Sequence, residues 1–407
     1  MTTVVTELEL PEIDYSSAAL GPDNYHQVLA EARTKNWLAH SPLAYIVLDR
    51  ESSDFFLRTR QAAFPGRQIA EIFGITPGAL LDNIDNNILN LTGDKHRRIR
   101  SLVGHAFTPR VADAWRPAMR EFLGQLWQEM TADGTVSAEF VSAFARHYPS
   151  RTIAAVLGAP VGDAMKLFRW AHLIQRQFDV QALSTQAAEL ERAAAEAYEY
   201  VDALVAERKN DPRDDLISIL AVAEADGDKL SHDECVHLVL NLIAGGVDTT
   251  QGQLSHGMLL FARHPDQWAL LASRPDLAPA AAWEVTRVEP VAPVTARIVL
   301  EDITHRGVLF PAGTIVAVCA ERANREQDGG EAFDITATRD GKVYTFGAGA
   351  HHCLGVNLAR AELEEAFRFL PPRMPGLALD GEARLGGIEG IYGVDALPLR
   401  WHPGHLS

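Results

Sequence analysis

Residues Phe346 to Gly355 read F-G-A-G-A-H-H-C-L-G and hold one cysteine, Cys353, behind two glycines, Gly347 and Gly349, that let a backbone turn sharply. The run from Val356 to Leu370 has no Gly or Pro and is stopped by Pro371 and Pro372, which predicts a helix starting at the cysteine. Unsatisfied N–H groups and the positive end of a helix dipole favour a thiolate, the form that ligates metals. Such a thiolate is a candidate ligand for haem iron. Two plainer readings compete. A lone cysteine is most often a small buried hydrophobe, the role expected of Cys235 and Cys319. A zinc site from His351, His352 and Cys353 is sterically poor, because contiguous residues do not easily turn onto one tetrahedral ion, and no C-x-x-C lies elsewhere.

Three further stretches carry chemistry. After Asp94, the order K-H-R-R-I-R sets His96 and Arg100 on one helical face, where a solvated basic stripe is the alternative. Ser231 and Glu234 form a capping-box pattern that opens a helix running to about Arg263. Its middle reads Gly245-Gly246-Val247-Asp248-Thr249-Thr250. Each glycine there costs roughly 1 kcal/mol against Ala, so it needs a reason. A helix crossing would account for Gly-Gly alone. A groove for a flat ligand or for a small molecule such as dioxygen would also account for an acid and a hydroxyl side by side. Glu284 and Arg287 are spaced i, i+3, which on a surface would be an ion pair worth little.

In content and chain order these stretches resemble the cytochrome P450 family. Phe346, Gly347, Gly349, His351, Cys353 and Gly355 match its cysteine-ligand loop, and Gly245, Asp248 and Thr249 match its oxygen-activation pattern. His96 and Arg100, trailed by Ala106, Phe107 and Thr108, match a propionate-binding helix; Glu284 with Arg287 matches E-x-x-R; Gly393 to Leu399 matches a terminal segment. The resemblance implies a mainly α fold with a small β-rich side, as one domain over residues 1–407. It implies b-type haem on Cys353, propionates held by His96, Arg100, Arg297 and His351, and Phe346 and Gly245 beside the ring. Asp248 and Thr249 would deliver protons, and Glu284–Arg287 would be a buried structural pair. The implied activity is a monooxygenase that uses O2, a small or medium-sized organic substrate, and electrons from a separate ferredoxin and its reductase. Oxidative coupling and dealkylation are variants of that chemistry. A non-catalytic haem sensor is the rival from another class, and it has no use for Asp248 and Thr249. One departure stands out: many relatives carry an arginine where this chain has Ala337, so either Arg339 reaches Glu284 or the network is rearranged. Matching positions give pocket candidates Asn83, Asn86, Leu238, Asn241, Leu242, Val291, Val294, Ile391 and Tyr392, with a lid at the break from Phe178 to Ser184. They suggest a mostly apolar substrate with a polar handle near Asn241 or the Asn-rich loop.

The elements that must position these residues are legible in outline. Leu43–Leu48 reads as a strand, Ser52–Arg60 as a helix, and Asn83–Asn90 as an irregular loop. Helices are expected at Arg110–Met130, Ala138–Leu157, Asp163–Phe178, Thr185–Lys209 and Asp215–Ala225. The 407 residues are 47% hydrophobic and 22% charged, with no linker or repeat, which suits one large unit. A net charge of −17 excludes a basic nucleic-acid face. Three scattered cysteines form no disulfide framework and fit a reducing compartment. Met1–Tyr15 has neither a basic start nor a long apolar run, so a cytoplasmic, membrane-free and monomeric protein is expected, with no reductase extension. Lys95, Arg97 and Arg98 are expected to face outward, toward an acidic electron carrier.

Overall fold

The computed structural model describes residues 2–14, 20–225, 230–339, 341–388 and 390–403. It is 59% helical. The helices in chain order are α1 (Tyr25–Lys35), α2 (Arg50–Arg58), α3 (Gly66–Ile72), α4 (Ala79–Asp85), α5 (Gly93–Gly104), α6 (Pro109–Met130), α7 (His147–Leu157) and α8 (Ala164–Gln175). They continue with α9 (Val180–Asn210), α10 (Leu216–Ala225), α11 (His232–Arg263), α12 (Pro265–Ser273), α13 (Ala278–Val288), α14 (Ala320–Arg325) and α15 (Val356–Phe369).

The spine is α11, 32 residues and therefore about 48 Å long. Its start is fixed by the capping box: Ser231 Oγ accepts from the Glu234 N–H at 3.1 Å, and Glu234 Oε2 accepts from the Ser231 N–H at 3.0 Å. Helices α7, α8, α9, α10, α13 and α15 pack around it. Small residues set how closely they approach. A Cβ on Gly257 would fall 2.5 Å from the buried ring of Phe367, so α11 crosses α15 with backbone against aromatic. Phe261, Phe333, Trp268 and Phe367 join in edge and tilted contacts around that crossing.

Strands form four small sheets among the described residues. The largest sheet orders Leu38–His40, Tyr45–Val47, Ile315–Cys319, Val294–Val299 and Ala62–Ala63. Its Val294–Val299 strand pairs Arg297 with Val316 and Val294 with Cys319.

Four expected boundaries move, each for a visible reason. The Asn-rich stretch is helical through Asp85, because the Glu191 carboxylate of α9 caps α4 from outside, accepting from the Ala79 and Leu80 N–H groups at 2.7 and 2.9 Å. The lid break closes to Asp179 alone, whose carboxylate accepts from the Ala182 N–H at 3.0 Å and starts α9 at once. The Ala138–Leu157 helix divides into the strand Ser137–Glu139, a π-turn at Val141–Ala145 and α7. Glu139 causes the division by accepting from the N–H groups of Val141, Ser142 and Leu397. The first strand of the sheet hairpin is Leu38–His40 and its second Tyr45–Val47, a shorter piece of the expected Leu43–Leu48.

Candidate active site

Two glycines shape the cysteine loop. Gly347 and Gly349 have φ of +65° and +69°, a region costly for other residues. A Cβ on Gly349 would also sit 2.7 Å from the Leu57 carbonyl oxygen, so the loop lies against α2. The Cys353 N–H then donates to the Phe346 carbonyl at 2.8 Å and closes the loop. The following helix begins at Val356, at the head of the expected run and three residues past Cys353, with Gly355 as its N-cap. Burial is the strongest influence on Cys353 and raises its thiol pKa, while the Gly355 N–H and Arg100 oppose it. The loop thus holds the Cys353 sulfur just ahead of the helix, where Arg100 and the Gly355 N–H favour its thiolate.

Basic side chains converge beside this loop. His96 is 4% exposed and its Nε2 has no protein partner. Its ring centroid lies 4.3 Å from that of His351. Arg297, 6% exposed, donates only to its own strand, to the Ala296 carbonyl at 2.8 Å and Thr295 Oγ1 at 3.3 Å. Burial pushes its pKa down to about 10. Arg100 donates to the His352 carbonyl and is likewise lowered by burial. Burial, then His96, Arg297 and Arg100, hold His351 down at about 4. Among the described residues no carboxylate pairs with His96, Arg100, Arg297 or His351. A buried cation without a counter-ion, as Arg297 is among the described residues, is costly, and with Arg100 and the His96 and His351 rings beside it the cluster fits a ligand that brings its own carboxylates.

The α11 glycines separate into two roles. A Cβ on Gly246 would meet Ile153 Cδ1 at 2.8 Å, so this glycine serves the crossing with α7. Gly245 is exposed although it lies mid-helix, with nothing within 4 Å of an added Cβ. It leaves room beside the helix for a group outside the protein. On that turn Thr249 Oγ1 donates to the Gly245 carbonyl at 2.8 Å. Asp248 is 8% exposed, with Oδ2 2.9 Å from His172 Nδ1 and Oδ1 without a partner.

The Glu284–Arg287 pair is buried and bidentate, at 2.7 and 2.8 Å. Arg287 also donates to the Gly330 and Ala332 carbonyls at 2.6 and 2.8 Å. Arg339 reaches Glu284 Oε1 at 3.2 Å and supplies the cation that Ala337 lacks.

The pocket candidates differ in burial and in partners, and two of them meet directly, the Tyr392 N–H donating to the Val291 carbonyl at 2.8 Å. Asn241 ties backbone together: Oδ1 accepts from the Ile88 N–H at 2.7 Å and Nδ2 donates to the His237 carbonyl at 2.5 Å, which leaves one N–H of its amide for another partner. Asn86 turns outward to the Asp82 carbonyl and Lys95. Tyr392 is 2% exposed and packed on His256 and Tyr25, hence a core residue. Asn83 is buried and donates to Gln177 at 3.3 Å. Leu238, Leu242 and Val291 are buried, while Val294 and Ile391 are half-buried. The expected outward basic cluster is largely paired as well: Arg98 grips Glu234 at 2.9 and 2.6 Å, and Arg97 bonds Asp94. His172 and Glu191 were missed, because their contacts join separate helices and leave no spacing signature.

The sequence profile described as Cytochrome P450 matches residues 44–368. The chain belongs to the cytochrome P450 family. Luteothin monooxygenase of Streptomyces thioluteus is 34% identical over 409 residues, covering 98% of this chain and 99% of that one. Mycinamicin IV hydroxylase/epoxidase of Micromonospora griseorubida is 36% identical, over 78% of this chain and 80% of its own. Among solved structures, CalO2 has a TM-score of 0.88 at 26% identity, covering 97% of this chain and 100% of that chain. P450BioI in complex with an acyl carrier protein has 0.86 at 28%, covering 93% and 99%. This P450 is therefore a haem-thiolate oxidoreductase of the monooxygenase class, whose family uses O2, an organic substrate and a redox partner. No helix among its described residues is long and apolar enough to cross a membrane.

Proposed function

We propose that this P450 inserts one oxygen atom of O2 into a small or medium-sized, largely apolar organic molecule of secondary metabolism, by hydroxylation or epoxidation. The observation that carries the reading is a group of basic side chains with no carboxylate partner among the described residues, buried His96 and Arg297 with half-buried Arg100 and His351, beside Cys353. Cys353 is the proposed iron ligand, and the four basic residues take the two propionates of b-type haem through charge-assisted hydrogen bonds. Phe346 and Gly245 would lie beside the haem. When bound, haem supplies dioxygen activation and oxidising power.

The remaining work falls to side chains. Insertion consumes substrate RH, O2, two electrons and two protons, and releases ROH and water. Thr249 Oγ presents a hydroxyl at the Gly245 turn, and Asp248, next in sequence and mostly buried, holds the proton that Thr249 passes into the open space. Glu284 and Arg287, with Arg339, pin the loop that leads to the cysteine. Substrate choice rests on apolar surface around Leu242, Val291 and Ile391. The relatives named for luteothin and mycinamicin support secondary metabolism as the setting. We place the enzyme in the cytoplasm as a monomer, reduced by a ferredoxin and its reductase. Holoprotein with a bacterial ferredoxin system, NADPH and ¹⁸O₂ tests this: compounds that shift the haem to high spin should emerge carrying one ¹⁸O. Products that are only coupled or dealkylated, without retained label, would favour the alternative chemistry.

A further inference from the structure

Asp248 has a partner that the oxygen-activation pattern does not contain. His172, on α8, places Nδ1 2.9 Å from Asp248 Oδ2. The acid is 9% exposed at its side chain and the histidine 54%, so this one pair spans from the interior to the surface. The imidazole lines a cavity of about 300 Å³ together with Arg146, Phe168, Gln251, Arg384 and Asp395. Gln251 lies on the same face of α11 as Asp248, and its Oε1 is buried without a protein partner, an acceptor suited to ordered water.

We infer that His172 loads protons for this P450, taking them from water in the cavity and passing them to Asp248. It acts through that carboxylate and touches neither substrate nor oxygen, so it is a positioning and relay residue. The inference rests on the reading of Asp248 and Thr249 as the proton-delivering pair. In the forward step the imidazolium gives its Nδ1 proton to Asp248 Oδ2, leaving a neutral ring protonated at Nε2 and a neutral acid. The acid releases its proton toward Thr249 and returns to carboxylate. Nδ1 then has to meet water again, and a half-exposed ring does so by swinging into the cavity and back. One proton enters and one is delivered per cycle.

The charges facing His172 are mixed. Arg146 from the π-turn end, Arg176 just past α8 and Arg384 disfavour its cation, while Asp248 and Asp395 favour it. The hydrogen bond to Asp248 is the largest influence and raises the histidine pKa despite burial. The ring is therefore loaded at lower pH, and loading declines as pH rises through that raised value.

The discriminating variant is His172→Gln, whose amide still donates to Asp248 but cannot carry a titrating proton. In carbon monoxide-bound ferrous holoprotein labelled with ¹³C-histidine, His172 should titrate above the usual histidine range and fall back in Asp248→Asn. With a substrate that shifts the spin state, His172→Gln should keep the parental spectra and substrate affinity. Product formed per electron pair should drop about 10-fold, less than the 10²–10⁴ typical of a lost acid or base because cavity water substitutes in part. Its solvent isotope effect should rise, and the parental decline of coupling with pH should flatten. Parental coupling and isotope effect in His172→Gln, with Asp248→Asn impaired, would overturn the shuttle alone. Parental coupling in both variants would instead remove Asp248 from proton delivery.

Discussion

Thr249 donates its hydroxyl to the Gly245 carbonyl on its own helix, a local bond whose loss leaves no inter-element contact of the hydroxyl broken among the described residues. Thr249→Ala should therefore bind haem and substrate normally while product per electron consumed falls by about 10-fold or more, the difference appearing as peroxide or water. Stopped-flow reduction with product and peroxide assays checks this, and parental coupling would remove the hydroxyl from proton handling. Residues of this kind were legible because their chemistry is written in adjacent letters: Asp248 beside Thr249, Cys353 between Gly347 and Gly355. His172 and Arg339 were harder to read. Each acts on a partner 76 and 55 residues away, and only the packed helices bring them together.

At the scale of elements, the two α11 glycines predict opposite responses. Gly246→Ala pushes Ile153 aside and should lower the melting temperature, whereas Gly245→Ala meets nothing in the protein and should gain up to roughly 1 kcal/mol of helix propensity in apoprotein. Urea unfolding of apoprotein separates them. Helix α1 offers a pH test. His26 bridges Glu289 at 2.8 Å and Glu321 at 2.6 Å; burial alone would lower its pKa, and these hydrogen bonds outweigh burial and raise it. A raised folded value means the stabilisation is complete below the unfolded histidine pKa, near 6.5, and is lost as pH rises through the folded value. The melting temperature should fall over that window in the parent and stay flatter in His26→Gln. The helix end with a local capping box, Ser231 with Glu234, was readable, whereas the Asp179 cap was read as part of a loop. The start of α4 was not, because its cap is Glu191 from another helix.

For the whole molecule, a net charge of −17 makes association with an acidic ferredoxin depend on local positive charge. Arg98 is committed to Glu234 near the start of α11, so reversing it would disturb the fold as well as the surface. Arg97 has a 67% exposed side chain, and its only described ion-pair partner is the exposed Asp94. Arg97→Glu alone should slow ferredoxin-driven reduction a few-fold at low salt, with the effect fading as the screening length shrinks to about 8 Å at physiological ionic strength. An unchanged low-salt rate would put docking on another face. The global architecture was readable from four motifs in order, whereas side-chain partners were not: Asn241, read as a polar handle, also bonds the backbone of Ile88 and His237. The most direct test of the account is the absorbance of the reduced, carbon monoxide-bound holoprotein beside its Cys353→His variant. The parent should show the long-wavelength band of thiolate-ligated haem, and the variant should keep haem but lose that band to the shorter-wavelength one of a nitrogen ligand. A long-wavelength band that persists in the variant, or is missing from the parent, would contradict Cys353 as the iron ligand.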